Sequence, residues 1–313
     1  MLGLIIPVYK NEASIPDLLA AVETLNTDLH NNLFVTFVID GSPDNCCLVL
    51  SEKLKSVSFK SQLILHSKNF GSFAAIRTGF QYTEAEKYAV MAADLQEPTD
   101  LILSFFQKLQ PGKADIVIGA RDSRKDPLQS KIFASLFWGF YRRFIIKDVP
   151  KGGVDIFGCG RQVRDQLIQF SEAKSSLIGQ LFWVGFKREY ILYNRQERKK
   201  GKSAWTFNKK INYLLDSIFA FTDMPIKALI SLGMAGILIS TVTGITVLIS
   251  RVLGLIQVSG YAAIMLAIFF FGAINIFAFG IIGTYSHRAY ENSKNRPLSI
   301  VVNTLSFKGK SNE

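Results

Sequence analysis

At 313 residues, with 49% hydrophobic residues and a net charge of +11, the chain has room for one large domain with an appendage, or for two modest domains. Its mean hydropathy of +0.22 is too high for that composition to be evenly spread, so an apolar excess must be concentrated somewhere. The charge is concentrated as well: Arg121 to Lys210 holds 20 Lys/Arg against 8 Asp/Glu, and because this block runs straight into apolar sequence it points to anionic headgroups or phosphorylated ligands, not to nucleic acid.

The N-terminus enters an apolar run without a basic region or a cleavage site, so no signal peptide is expected. Leu2–Pro7 reads as a strand. Ser14 to Leu29 reads as a helix with Ser14 as its N-cap and Pro16 in its first turn. Phe34–Ile39 reads as a second strand, closed by Asp40-Gly41-Ser42. A short strand at Gln62–Leu65, a helix at Phe73–Tyr82, a strand at Tyr88–Ala92, a helix at Asp100–Leu109 and a strand at Asp115–Ile118 follow. Continuous apolar strands alternating with helices imply an α/β domain with a mostly parallel central sheet, covered on both faces. Three cysteines, two of them the neighbours Cys46 and Cys47 and the third Cys159, have no metal-ligand spacing. They are expected as reduced, buried thiols in a cytosolic setting.

Lys131 to Lys147 and Ser203 to Thr222 mix aromatic and basic residues at helical spacing, as amphipathic helices lying in a membrane interface do. Ala228 to Ser250 and Val252 to Ser286 contain no formal charge, and about 20 apolar residues suffice to cross a bilayer. Lys209, Lys210 and Lys227 flank the entry; His287, Arg288, Lys294 and Arg296 flank the exit. The positive-inside rule then places both termini and the α/β domain in the cytoplasm of a multi-pass protein of the inner membrane. The expected division is a cytoplasmic domain at 1–202 with an interface helix at about 130–147, a juxtamembrane helix at 203–225, spans at 226–251 and 259–286, and a cytoplasmic tail at 287–313.

In parallel sheets ligands bind at the carboxyl ends of the strands. Polar clusters follow each strand here: Tyr9-Lys10-Asn11-Glu12, Asp40-Gly41-Ser42-Pro43-Asp44, Lys68-Asn69-Phe70-Gly71, Asp94-Leu95-Gln96-Glu97 and Arg121. Any one of them alone reads as a turn; in order they converge on one crevice. Alternation along an extended chain puts residues 92, 94 and 96 on one side. His30, His66 and His287 read as surface or junction residues. Gly158-Cys159-Gly160 lacks the third glycine of a dinucleotide fingerprint, and Lys199-Lys200 reads as solvated.

The stretches PVYKNE, DGSPD, KNFGSFAAIRTGF, ADLQEP, GAR, Arg198-x-x-Gly201-Lys202-Ser203 and Arg296-Pro297 resemble the family 2 glycosyltransferases of the polyprenyl-phosphate type, related to dolichyl-phosphate mannose synthase and bacterial undecaprenyl-phosphate glycosyltransferases. The resemblance covers nearly the whole chain and implies a GT-A nucleotide-sugar-binding domain. It implies inverting transfer from a nucleotide-sugar, with UDP ahead of GDP, to a polyprenyl phosphate in the membrane, and it leaves a homo-oligomer open. Carried onto this sequence, Pro7, Tyr9, Glu12, Asp40, Ser42, Asn69, Arg77 and Lys202 would bind the nucleotide-sugar. Asp94 and Gln96 would hold Mg²⁺ or Mn²⁺ on the diphosphate, and Asp94, Asp155, Arg121 and Arg198 would form the catalytic set. Two departures stand out: Ala92 and Ile39 occupy positions where the family carries Asp. Two further readings follow: transfer to another lipid-linked or polysaccharide acceptor, and a non-catalytic sugar-nucleotide-binding membrane protein.

Overall fold

The computed structural model describes residues 1–121, 137–150, 153–172, 174–196, 207–254 and 260–310. They form two compact units, one made of Met1–Tyr213 with Arg296–Glu313 and the other of Leu214–Asn295. In the first, the elements are β1 (Leu2–Val8), α1 (Ile15–Asp28), β2 (Leu33–Ile39), α2 (Cys46–Lys53), β3 (Lys60–His66), α3 (Ser72–Tyr82), β4 (Lys87–Val90), α4 (Thr99–Lys108) and β5 (Ile116–Arg121). A helical segment at 137–144, α5, comes next. Then follow β6 (Val154–Gly160), α6 (Arg161–Leu167), α7 (Leu177–Trp183), β7 (Arg188–Tyr193) and, after the second unit, β8 (Val301–Phe307).

All eight strands join one sheet in the order β7-β5-β6-β4-β1-β2-β3-β8. Six run in one direction; β6, between β4 and β5, and β8, on the edge beside β3, run against them. The mostly parallel sheet expected from the apolar runs is therefore present, with two reversed strands that the sequence does not announce. One of the two comes from the tail, part of which is β8, an integral strand of the sheet.

Side-chain alternation along the strands sorts the two faces. Leu4, Ile6 and Val8 of β1 and Val35, Phe37 and Ile39 of β2 pack in one cluster with Leu18 and Val22 of α1, Leu50 of α2 and Ile102 and Phe105 of α4. The intervening residues face α3. There Ile5 lies so close to Gly79 that a Cβ on that glycine would come within 2.2 Å of Ile5 Cγ2, which is why this helix position carries no side chain. Val38 and Ile64 pack on Ala75 of the same helix.

The second unit contains the end of α8 (Phe207–Phe221), α9 (Met224–Val252) and α10 (Tyr261–Ser293). The apolar windows Met224–Val247 and Ala267–Ser293 are long enough to cross a membrane, and neither is buried inside the protein. Ile237, Leu238, Phe269 and Phe279 are each about two-thirds exposed or more, which no core helix of a soluble protein would tolerate. Within this unit Arg288 of α10 donates to Asp216 of α8 at 2.6 Å and lies over the Phe219 ring.

Candidate active site

The connectivity fixes where a crevice opens. From β1 the chain steps outward through β2 and β3, then returns through α3 on the opposite face to place β4 on the other side of β1. This reversal between β1 and β4 is a topological switch point, where the loops leaving neighbouring strands diverge. β4 pairs with β1 only as far as Ile5↔Val90. Pro7 sits just beyond, where the ladder on that side has ended, so its missing N–H leaves no ladder bond unmade. Tyr9 and Asp94 follow on either side of the opening.

The loops after β1 and β2 are tied together by side chains. The backbone N–H of Lys10 donates to Ser42 Oγ at 2.7 Å, and Ser42 in turn donates to Asp44 at 2.6 Å. The N–H of Glu12 donates to Asp44 at 3.2 Å, and Glu12 accepts from the Asn45 backbone at 3.0 Å. Lys10 takes a left-handed φ of 57°, and its ammonium rests over the Tyr9 ring. Burial works to raise the Asp44 carboxyl, but donors from Cys46, Ser42 and two backbone amides outweigh it and hold the group below its ordinary value. Cys46, by contrast, is pushed up to about 12 by burial and by the Asp44 carboxylate it donates to. The three cysteines are free thiols, and Cys46 and Cys159 are buried.

Asp40 is turned inward. It is 2% exposed, and its carboxylate accepts from the backbone of Phe70 and Gly71, both at 2.8 Å, and contacts His66 Nδ1 at 3.0 Å. The sequence reading put this carboxylate among the nucleotide-sugar ligands; instead its oxygens are occupied by protein donors, and it clamps the loop after β3. Asn69 is exposed on that loop and donates to the Asp40 carbonyl at 3.2 Å.

The loop after β4 departs from expectation. Residues 93 and 94 form a turn, Leu95 is left-handed with φ of 56°, and Gln96 N–H donates to Asp94 Oδ1 at 3.3 Å. The chain is not extended here, so the alternation that would align residues 92, 94 and 96 does not apply. Gln96 is committed elsewhere: its amide oxygen accepts from Arg195 at 2.6 Å and its amide nitrogen donates to the Gln196 carbonyl at 3.3 Å. Both ends of the Gln96 amide are thus held by the segment after β7. Asp94 remains, half-buried. Among the described residues no group of three or more His, Cys, Asp or Glu converges on a metal position.

Arg121 ends β5 and is in register with Tyr193 of β7, so it reaches the same rim. Only the backbone of Asp155 is described; it is the second residue of β6, and since Val154 pairs antiparallel with Ala120, it starts at this rim too. Arg198 and Lys202 lie outside the described residues. Arg77 is a correction. It is 6% exposed and spends its guanidinium on the carbonyls of Leu167 and Phe170 and on Gln180, joining α3 to α6 and α7. Burial pulls its pKa down. Arg77→Ala is expected to cost about 2 kcal/mol of stability, since it strands buried acceptors. Nucleoside diphosphate affinity, measured by titration calorimetry, should stay unchanged; weakened binding with an unchanged melting temperature would return Arg77 to the crevice.

Two residues at this rim escape the sequence reading. Arg195 follows β7, a strand that is not apparent in the basic stretch around it, and also approaches the buried Glu97 at 3.7 Å. His66 was read as a surface or junction residue and is buried, with both ring nitrogens engaged. Its one sequence signal is its place directly after the apolar run Leu63–Leu65 of β3.

A model of the family described as Glycosyl transferase family 2 matches residues 4–169. An uncharacterized glycosyltransferase of Synechocystis sp. is 31% identical over 301 residues, covering 96% of this chain and 94% of that protein. An uncharacterized glycosyltransferase of Bacillus subtilis (strain 168) is 29% identical over 312 residues, covering 98% and 95%. A bactoprenol glucosyl transferase of Shigella phage SfV is 26% identical over 309 residues, covering 96% and 98%.

Proposed function

Because this chain belongs to glycosyl transferase family 2, with the family's GT-A type of α/β catalytic domain, we propose that it moves a sugar from a nucleotide-sugar, UDP-linked in the first instance, to a polyprenyl phosphate in the membrane, with inversion at the anomeric carbon. The observation that carries this reading is one chain holding both a polar crevice at the β1/β4 switch point and two exposed helices of membrane-crossing length. Similarity to a bactoprenol glucosyl transferase along almost its entire length supports the acceptor class.

In this reading Pro7, Tyr9, Glu12 and Ser42 line the base and ribose side, with Asn69 on the adjoining loop, and Asp94 faces the diphosphate. A divalent cation fits only in a modest form, with Asp94 as carboxylate ligand and diphosphate oxygens and water completing the sphere, as Mg²⁺ commonly accepts. When bound it would neutralise charge on the leaving diphosphate. Arg121, with Arg198 and Lys202, would pair with phosphate oxygens through charge-assisted hydrogen bonds. The acceptor phosphate has a second pKa of about 6, so near neutral pH it attacks as a dianion and needs little deprotonation. Asp155 then orients the acceptor and is dispensable as a base. Catalysis rests on holding two anions in line and on stabilising the leaving group.

Chain path supports the topology. The chain leaves the first unit at Tyr213 and rejoins it at Arg296, which requires an even number of crossings if α9 and α10 span the bilayer. The flanking cations favour the cytoplasmic face of the inner membrane for the catalytic unit. The test is full-length protein in detergent with UDP-sugars or GDP-mannose, undecaprenyl phosphate and Mg²⁺ or Mn²⁺. A lipid-soluble product that releases sugar in mild acid is expected. Transfer only to longer glycans would replace the acceptor assignment, and nucleotide binding without turnover would remove the catalytic one.

A further inference from the structure

The buried polar residues of the first unit include a chain of side chains that no part of the transfer mechanism uses. Ser299, half-buried in the segment after α10, contacts Thr78 of α3 through their hydroxyls at 2.8 Å. Thr78 Oγ1 contacts His66 Nε2 at 2.9 Å, and His66 Nδ1 meets Asp40 Oδ1 at 3.0 Å. Asp40 then accepts from the backbone of Phe70 and Gly71. The last link is the loop that carries Asn69 into the rim of the crevice. Four side chains thus connect the chain beyond the membrane helices to that loop.

Two further observations set this chain apart from ordinary core filling. The pairing of β3 with β8 shifts register between Leu65 and His66. Such irregularities re-aim a side chain and occur at sheet edges, as here, and beside functional sites. In addition, the Ser67 N–H donates to the Ile300 carbonyl at 3.0 Å, so the C-terminal segment also grips the start of the loop through its backbone. A buried His–Asp pair is costly to desolvate, and an apolar pair of similar volume would fill the space as well or better. What the polar pair supplies is a fixed carboxylate for two loop amides.

We propose that His66 is a positioning residue of the transfer site, and that the C-terminal segment from Ser299 into β8 completes the donor pocket by holding His66, Asp40 and the loop at 68–71 in place. This rests on the reading of the crevice as the nucleotide-sugar site. Asp40 touches the loop; His66, Thr78 and Ser299 act through it.

The experiment is UDP titration of the full-length protein in detergent, with steady-state KM for donor and for acceptor. The variants are His66→Ala, His66→Asn and Ser299→Ala, each checked by thermal melting. His66→Ala should weaken UDP binding and raise the donor KM about tenfold, the worth of one charge-assisted hydrogen bond, with the acceptor KM unchanged. His66→Asn, whose amide N–H can take the place of Nδ1–H toward Asp40, should recover most of the loss. Ser299→Ala should move the donor KM in the same direction by about threefold. Should His66→Ala fail to fold, Ser299→Ala decides alone. A folded variant set with donor KM and UDP affinity at wild-type values, or with donor and acceptor KM rising together, overturns the positioning role. Wild-type protein that binds no nucleoside diphosphate overturns the donor-site reading and this inference with it.

Discussion

Asp94→Asn is expected to lower kcat/KM for sugar transfer by about a hundred- to a thousandfold, the usual cost of removing one preorganised group from a developing charge, while the protein melts as the wild type does. The substitution is nearly isosteric and keeps an oxygen for the Gln96 N–H that Asp94 now satisfies, so the turn at 93–95 survives. What is lost is the formal charge. Ala92 has no side-chain oxygen and the Gln96 amide is held by Arg195, so neither side chain supplies that charge in its place. A loss below tenfold in Asp94→Asn would show that charge at this position does not decide the rate.

The second large effect is structural. Gly41→Ala should destabilise the first unit by about 4 kcal/mol, combining the left-handed backbone penalty with overpacking. Gly41 has φ of 57°, and an added Cβ would lie 2.2 Å from the Lys68 carbonyl carbon and 2.4 Å from the Asn69 nitrogen. These are backbone atoms, so the loops after β2 and β3 would have to part, and nucleotide affinity should fall with stability. Gly139→Ala is the control, since a Cβ there meets nothing within 4 Å. Thermal melting of both variants, followed by UDP titration, reads the contrast; equal melting of Gly41→Ala and wild type would mean that the two loops are not packed as described.

The first five strands could be read from sequence because each holds a short apolar run that the sheet buries, while their bounds differ by up to three residues: the run Gln62–Leu65 is the middle of Lys60–His66. The strand positions in turn place Tyr9, Asp94 and Arg121 at one rim. What escaped has physical causes. The short helix α2 follows the Asp-Gly-Ser-Pro turn and has too few residues to show a period. β8 is an edge strand with one face in solvent, so VVNTLSF mixes polar and apolar residues and does not form an apolar run. β7, REYILY, is disguised by the basic stretch around it. Among site residues, sequence position alone could not tell which way a side chain turns: Asp40 and Arg77 lie in the right motifs, and both point into the protein. Extended alternation failed at Gln96 because Leu95 adopts a left-handed turn, which a leucine does not advertise.

The place of β8 in the chain also bears on how the molecule is made. This strand belongs to the first unit, yet it leaves the ribosome only after α9 and α10 have done so. Until then β3 is an uncovered sheet edge, and the Ser299 link to Thr78 cannot form. The order of synthesis therefore sets an order of maturation: α9 and α10 emerge first and the sheet closes second. A nascent chain stalled before Ser299 would carry every rim residue named above and still hold the loop at 68–71 unfinished.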